Sequence, residues 1–515
     1  MGTSGLGDSG DVHPVTTQKA QAPMPVIRRR WVVLAVLCAS LLLVSVDATV
    51  LHMALPALAS DLRPSATGQL WIIAAYSLMA APLLLAFGTL GDRYGRRKVL
   101  VLGYVVFGLA SLACAWAPNV PVLIAARALL GVGGAMIMPA TLSLLRQAFP
   151  DRAERRTAIG IWSGIAGSGA VLGPLLGGFL VETFSWHAAF LINVPVMIAA
   201  IPLTYWLIPE SADPPDGPWD LRSAVLAALG VVGIAFAVKQ TAHGGAMYVF
   251  GPLAGVIGLV LLTVFVVRQR QLKVPLLDVS LFRQPAFRVA VGSVLLVLMS
   301  VVGLGLLFAQ YLQLVLALEP MQAALRLLFV MGAAIVGSVV AGPLLQRFGN
   351  RMMTLAGFAV GALALLCAAA GLTEAENLWL LGPVLAAIGF GISVSLTAAS
   401  DAMLAAAPAE QAGAAAAVEE TAYELGAGLG VAVLGSLATA AYAAGMPATP
   451  ARDGLTEAVN IAAGLPAEAG ASLMELARSA FVDGLRLAMV TGAVLFVVAA
   501  VAAARALPKT KETTA

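Results

Sequence analysis

Long apolar runs, each closed by a short polar or Gly/Pro-rich segment, recur along the chain. Fourteen reach spanning length, with approximate limits 31–54, 68–89, 99–116, 120–145, 157–181, 187–208, 222–240, 248–268, 287–312, 322–345, 352–372, 378–404, 413–440 and 483–505. A bilayer core about 30 Å thick takes about twenty helical residues, so the pattern predicts an all-α integral membrane protein. Residues 1–30 break it, being polar and rich in Gly, Ser, Pro and Thr, and are expected to be disordered. Residues 441–482 are the longest later interruption. An outer loop with alanine-rich helical stretches such as 466–481 is expected there, either covering the outer opening or forming a tolerated insertion.

Composition agrees with a membrane setting. The 515 residues are 60% hydrophobic and 11% charged, against about 25% charged in a soluble domain. The net charge of +3 says little, but its placement says more. With the N-terminus in the cytoplasm, twenty-three of the thirty Lys and Arg residues fall on the cytoplasmic side. That bias predicts cytoplasmic termini and an even number of spans. The first apolar run follows Arg28-Arg29-Arg30 and is too long for a signal-peptide core, so it is expected to remain as a span. Cys38, Cys114 and Cys367 lie inside apolar runs and give no disulfide framework. The four histidines have no metal-ligand spacing, and no nucleophile–base constellation appears. Neither a metal, a cofactor, an enzyme activity nor a nucleic-acid partner is expected.

The run 413–437 carries three acids, Glu419, Glu420 and Glu424. At a rise of about 1.5 Å per residue, Glu420 lies about 10 Å and Glu424 about 16 Å into the hydrocarbon. Ionised acids at that depth are costly unless they face protein or a wet cavity. Glu420 and Glu424 share a helical face, while Glu419 is turned about 100° away and ranks behind them. The pair is expected to bind protons or cations in a carrier. The glycines from Gly426 to Gly435 read as a packing surface. Arg127, early in the fourth run, needs a partner and would tune a nearby acid or form a structural ion pair. Asp47, about seventeen residues into the first run, reads as a cation- or proton-binding carboxylate, or as a cap near the span end.

A weak internal repeat is present. Gly88, Arg93, Gly95 and Arg97 recur 254 residues later as Gly342, Arg347, Gly349 and Arg351. Two parallel halves of six spans, separated by two extra spans, fit this offset.

Several motifs carry a family resemblance. GTLGDRYGRRK (88–98), with Gly88, Gly91, Asp92, Arg93, Gly95, Arg96 and Arg97, resembles the loop between spans two and three of the major facilitator superfamily. GIAGSGAVLGPLLGG (164–178) contains Gly164, Gly169, Gly173, Pro174, Gly177 and Gly178. Its glycine stripe lets another helix approach, and it is similar to the antiporter motif of drug/proton exchangers. VDATVLHMALP (46–56), the stretch beginning RALLGVGG at Arg127, and WIIAAYSL (71–78) resemble first-, fourth- and second-span motifs of the fourteen-span drug/proton antiporters. EETAYELG (419–426) resembles the thirteenth span of pumps for quaternary ammonium compounds, methyl viologen and dyes. The resemblance covers about residues 30–505. It departs at His52, where the family more often has Asn, and at Ala324 and Phe329, where it usually has Gly and Pro.

The resemblance implies the major facilitator fold with fourteen spans. Its expected units are a cytoplasmic N-terminus 1–30, a six-helix bundle 31–208, a linker with two extra helices 209–286, a second bundle 287–505 and a tail 506–515. It implies a proton-coupled exporter of hydrophobic mono- and dications, including quaternary ammonium biocides, methyl viologen, ethidium and acriflavine-type dyes. A facilitator symporter or lipid exporter is the alternative. Asp47, Glu420, Glu424 and, after them, Glu419 would carry protons and cations. Trp71, Tyr76 and Tyr423 would be cavity aromatics, with an aromatic belt as the other reading of Trp71. The extra spans, whose notable charge is Lys239, are expected to be peripheral to transport. A monomer in a bacterial inner membrane is expected, with protons as coupling ion.

Overall fold

The computed structural model describes residues 29–210, 219–241, 250–272, 275–373, 378–408 and 411–508. The expected disordered segment 1–30 falls almost wholly outside these residues, as do most of the tail 506–515 and most of the linker 209–221. Sixteen α-helices follow one another among the described residues. They are α1 Arg30–Leu62, α2 Ala66–Tyr94, α3 Arg96–Ala115, α4 Val120–Ala148, α5 Arg152–Thr183, α6 Ala188–Leu191, α7 Asn193–Leu207 and α8 Leu221–Thr241. Then come α9 Phe250–Gln271, α10 Pro285–Gln310, α11 Pro320–Gly371, α12 Leu378–Ala406, α13 Ala412–Gly430, α14 Ser436–Gly445, α15 Leu455–Ala462 and α16 Ala467–Ala506.

Local chemistry sets the ends. Ser65 caps α2 by accepting from Gly68 N at 3.2 Å, and Asn119 caps α4 by accepting from Val122 N at 3.1 Å. Pro285 and Pro320 open α10 and α11, where a missing N–H costs nothing. α1 stops at Arg63, which adopts a left-handed conformation (φ 47°).

Twelve described helices are long and apolar enough to span a membrane, or thirteen if the bent α5 is one span. α11 differs from expectation: the tenth and eleventh predicted spans form one run of 52 residues. At about 1.5 Å per residue it would measure about 78 Å, far more than one crossing needs. Its backbone breaks at Gly349 (φ 75°, ψ 162°). Two crossings meeting there are compatible with fourteen spans. Gly349 is the repeat partner of Gly95, which has φ 113°. Both glycines adopt a backbone that a side chain disfavours, at the same place in each half. Elsewhere the helical dihedrals of α11 are unbroken, including where Ala324 and Phe329 replace the family residues. The expected helix at 466–481 is the beginning of α16, not a separate element.

One apolar core joins α1–α7 and part of α8, and a second joins α10–α12 with α14–α16. The halves meet along α2–α13 and α5–α11. The α8–α9 pair packs its first helix on α2 and on the π-helical turn Val431–Gly435 that follows α13. This pair therefore touches both halves.

Candidate functional site

Between the halves lies a cavity of about 730 Å³, lined by α1, α5, α10, α11, α12 and Tyr423 of α13. It is bounded at the end where α1 gives way to α2. There a Cβ on Gly178 of α5 would lie 2.9 Å from Pro320 O, and Met321 N donates to Glu182 Oε2 at 3.4 Å. Gln310 donates to Gln69 at 3.4 Å at the same end. A Cβ on Gly428 of α13 would lie 2.8 Å from Leu78 of α2. Toward the opposite end, where α2 meets α3, the helices part. Gly160, Gly164 and Gly167 of α5 and Gly342 of α11 face open space within 4 Å.

The antiporter stripe shapes one wall. A Cβ on Gly177 would come within 2.7 Å of Val50 O, and Gly169 and Gly173 abut Ser45 and Thr49. Only glycine lets α1 and α5 approach this closely. Gly164 and Pro174 line the cavity itself. The glycine run of α13 packs on two sides: Gly426 meets Leu295 O and Gly430 meets Met299 O of α10, while Gly428 meets Leu78 of α2.

No lining residue carries a formal charge. The acids lie behind the wall. Glu419, which the sequence ranked last, accepts a short hydrogen bond from Ser400, and Ser400 lines the cavity beside Tyr423. Glu424 is buried against α2, beside Ser77, with its Oε2 lacking a hydrogen-bond partner. Glu420 is half-buried next to it. Of the expected pair, Glu424 thus turns toward the seam with α2, because the seam takes one side of α13 and the cavity another.

Asp47 does not face the cavity either. Its Oδ2 pairs with Arg127 Nη1 at 2.5 Å, with 0% and 1% of the two side chains exposed. Asn193 Nδ2 donates to Asp47 Oδ1 at 3.1 Å and contacts Ser111 Oγ at 3.2 Å. Arg127 Nε donates to Ile72 O at 3.1 Å, and its guanidinium lies 5.1 Å from the Tyr76 ring centroid. Tyr76 is therefore a wall of the ion pair, not a cavity aromatic. A Cβ on Gly134 would meet its hydroxyl at 2.5 Å. Trp71 also departs from expectation. Its ring sits 4.0 Å from Lys239 Nζ and 6.3 Å from the Phe236 ring, both on α8. Lys239 is 1% exposed, so the extra pair is anchored to α2 by a buried contact. Of the three predicted aromatics, Tyr423 alone lines the cavity, joined by Phe308.

The 88–98 motif is fastened within the first half. Asp92 and Arg96 pair at 2.7 Å. Arg97 N donates to Glu210 Oε1 at 3.2 Å, and Arg97 Nη1 to Ile208 O at 3.1 Å. The Glu210 carboxylate fills the volume that a Gly95 side chain would need. Gly88 approaches Pro139, Gly91 approaches Arg96, and Arg93 lies over Tyr94. Sequence reasoning missed Asn193, Ser400 and Glu210. A lone amide in an apolar run was the one available signal for Asn193.

Residues 37–431 match the family described as the Major Facilitator Superfamily. The chain belongs to that superfamily. It is a transporter, not an enzyme. The facilitator relatives include the multidrug efflux pump LfrA of Mycolicibacterium smegmatis, 41% identical over 92% of this chain and 95% of that one. The methyl viologen resistance protein SmvA of Salmonella typhimurium is 37% identical over 88% and 93%. The tetracenomycin C resistance and export protein of Streptomyces glaucescens is 32% identical over 96% and 95%. Among solved facilitator structures, a bacterial homolog of the human lysosomal transporter Spinster, inward-facing and unoccupied, matches with a TM-score of 0.66. At 20% identity over 94% of this chain and 99% of that one, it speaks for the fold alone.

Proposed function

We propose that this facilitator is a proton-coupled multidrug exporter of hydrophobic mono- and dications in a bacterial inner membrane. The observation that carries this reading is the inter-half cavity, whose uncharged wall of hydroxyls, aliphatics and Tyr423 has Glu419 one hydrogen bond behind it. Such a wall takes a flat apolar cation by area and polarisability, and the acid beyond Ser400 supplies the charge. The efflux and resistance functions named for LfrA and SmvA agree.

The lysine and arginine bias puts the α2–α3 end in the cytoplasm. The cavity then opens inward, ready to load from the cytoplasm or inner leaflet. Residues 31–208 and 287–505 would rock as two units around it, with 209–286 following, in a protein acting as a monomer. A cation and a proton exclude each other at Glu419, Glu420 or Glu424, and that exclusion couples their opposite movements. A pH unit supplies about 1.4 kcal/mol, and each charge moved through 100 mV about 2.3 kcal/mol.

Proteoliposomes with an imposed pH gradient test this directly. Ethidium or methyl viologen should accumulate against its gradient only while protons flow the other way. Movement indifferent to the pH gradient rejects the antiport reading. Glu420→Gln and Glu424→Gln should each abolish coupled accumulation in a folded protein; wild-type transport by both removes the assignment of those acids.

A further inference from the structure

His52 lies three residues after Thr49, on the same face of α1, and both line the cavity. Most other polar groups of this wall are committed. Thr49 Oγ1 donates to Gly169 O at 3.1 Å, and Ser168, Ser300, Ser338 and Thr397 each donate to a carbonyl of their own helix at 2.8–3.0 Å. Ser400 donates to Glu419. The His52 ring is 6% exposed and its Nε2 has no hydrogen-bond partner. Across from it, α10 has Gly305. A Cβ there would still be 3.9 Å from His52 Nδ1 and 4.0 Å from Cε1, so the glycine leaves a slot beside the ring. The terminal torsion of histidine is broad and roughly two-fold. A half-turn exchanges Nε2 with Cε1 and brings the unsatisfied nitrogen to that slot.

We propose that His52 is a specificity-determining residue, whose imidazole hydrogen-bonds a polar group of the substrate in this cavity. It would favour apolar substrates bearing an aryl amine, hydroxyl or carbonyl over fully substituted cations with no hydrogen-bonding group. The inference rests on the efflux reading above. Committed hydroxyls can still accept, but their protons are already placed, whereas neutral imidazole offers both a donor and an acceptor.

The test is equilibrium binding to the purified full-length protein, comparing ethidium, which carries two aryl amines, with tetraphenylphosphonium, which has no donor or acceptor. His52→Leu should weaken ethidium binding about five- to tenfold, the worth of one hydrogen bond at a dry site. Tetraphenylphosphonium should change less than about twofold, which also reports an intact cavity. His52→Asn should restore most of the ethidium affinity, because an amide also offers both a donor and an acceptor. Equal losses for both probes in the Leu variant, no loss for either, or no rescue by Asn overturns the proposal while leaving the efflux reading in place. A wild-type protein that binds neither probe overturns the efflux reading, and the proposal with it.

Discussion

The Asp47–Arg127 pair permits a quantitative test. Both side chains are essentially without solvent contact, at 0% and 1%, and their charged atoms are 2.5 Å apart. Asn193, Ile72 O and the Tyr76 face complete the shell. Removing one partner leaves the other as an uncompensated charge in a dry interior, at a cost of about 3–5 kcal/mol. Removing both with residues of similar volume removes the desolvation penalty as well as the attraction. Asp47→Leu and Arg127→Met should therefore each destabilise the protein by about 3–5 kcal/mol. The double variant should cost no more than either single variant, so it falls short of the sum by about 3 kcal/mol or more, the upper end of the coupling between residues in direct contact. Reversible unfolding in mixed micelles with a denaturing detergent, followed by tryptophan fluorescence, measures all three. Additive losses, or single variants within about 1 kcal/mol of wild type, would refute a dry, mutually compensated pair.

Three further outcomes follow from packing. Gly178→Leu should keep the two halves from closing at the outer end and lower transport, because even a Cβ there would lie 2.9 Å from Pro320 O; undiminished transport by the folded variant would contradict rocking at this contact. Gly177→Val should lower the yield of folded protein on size-exclusion chromatography, since even its Cβ would crowd Val50 O at 2.7 Å. Trp71→Ala should destabilise the protein by about 2 kcal/mol in the detergent titration, because it strips the buried Lys239 ammonium of the π-face against which it lies.

The sequence revealed spans and halves more readily than directions. Apolar runs mark helices because the bilayer demands them, and a shared offset tied Gly95 to Gly349 before their common backbone geometry was in view. Helical spacing reported that Glu420 and Glu424 share a face, but not that Glu424 meets α2 while Glu419 reaches Ser400. The direction depends on which neighbour takes each side of α13. Trp71 shows the same limit: its aromatic chemistry was evident, but its partner is Lys239 on a helix more than 160 positions away. Asn193, Ser400 and Glu210 act singly, outside any motif. Their importance comes from what stands opposite them, which periodicity does not encode.

The contact between Gly95 and Glu210 has a consequence for how such a chain can diverge. The carboxylate occupies the space of the missing side chain and binds the amide of Arg97. Positions 95 and 210, though 115 residues apart, are therefore one unit of inheritance. A larger residue at the first displaces the acid at the second, and a lost acid relaxes only part of the demand for glycine, because φ 113° still penalises a side chain. Substitution should thus proceed in one order, at position 210 before position 95, leaving lineages with an unpartnered glycine but few with an unaccommodated glutamate.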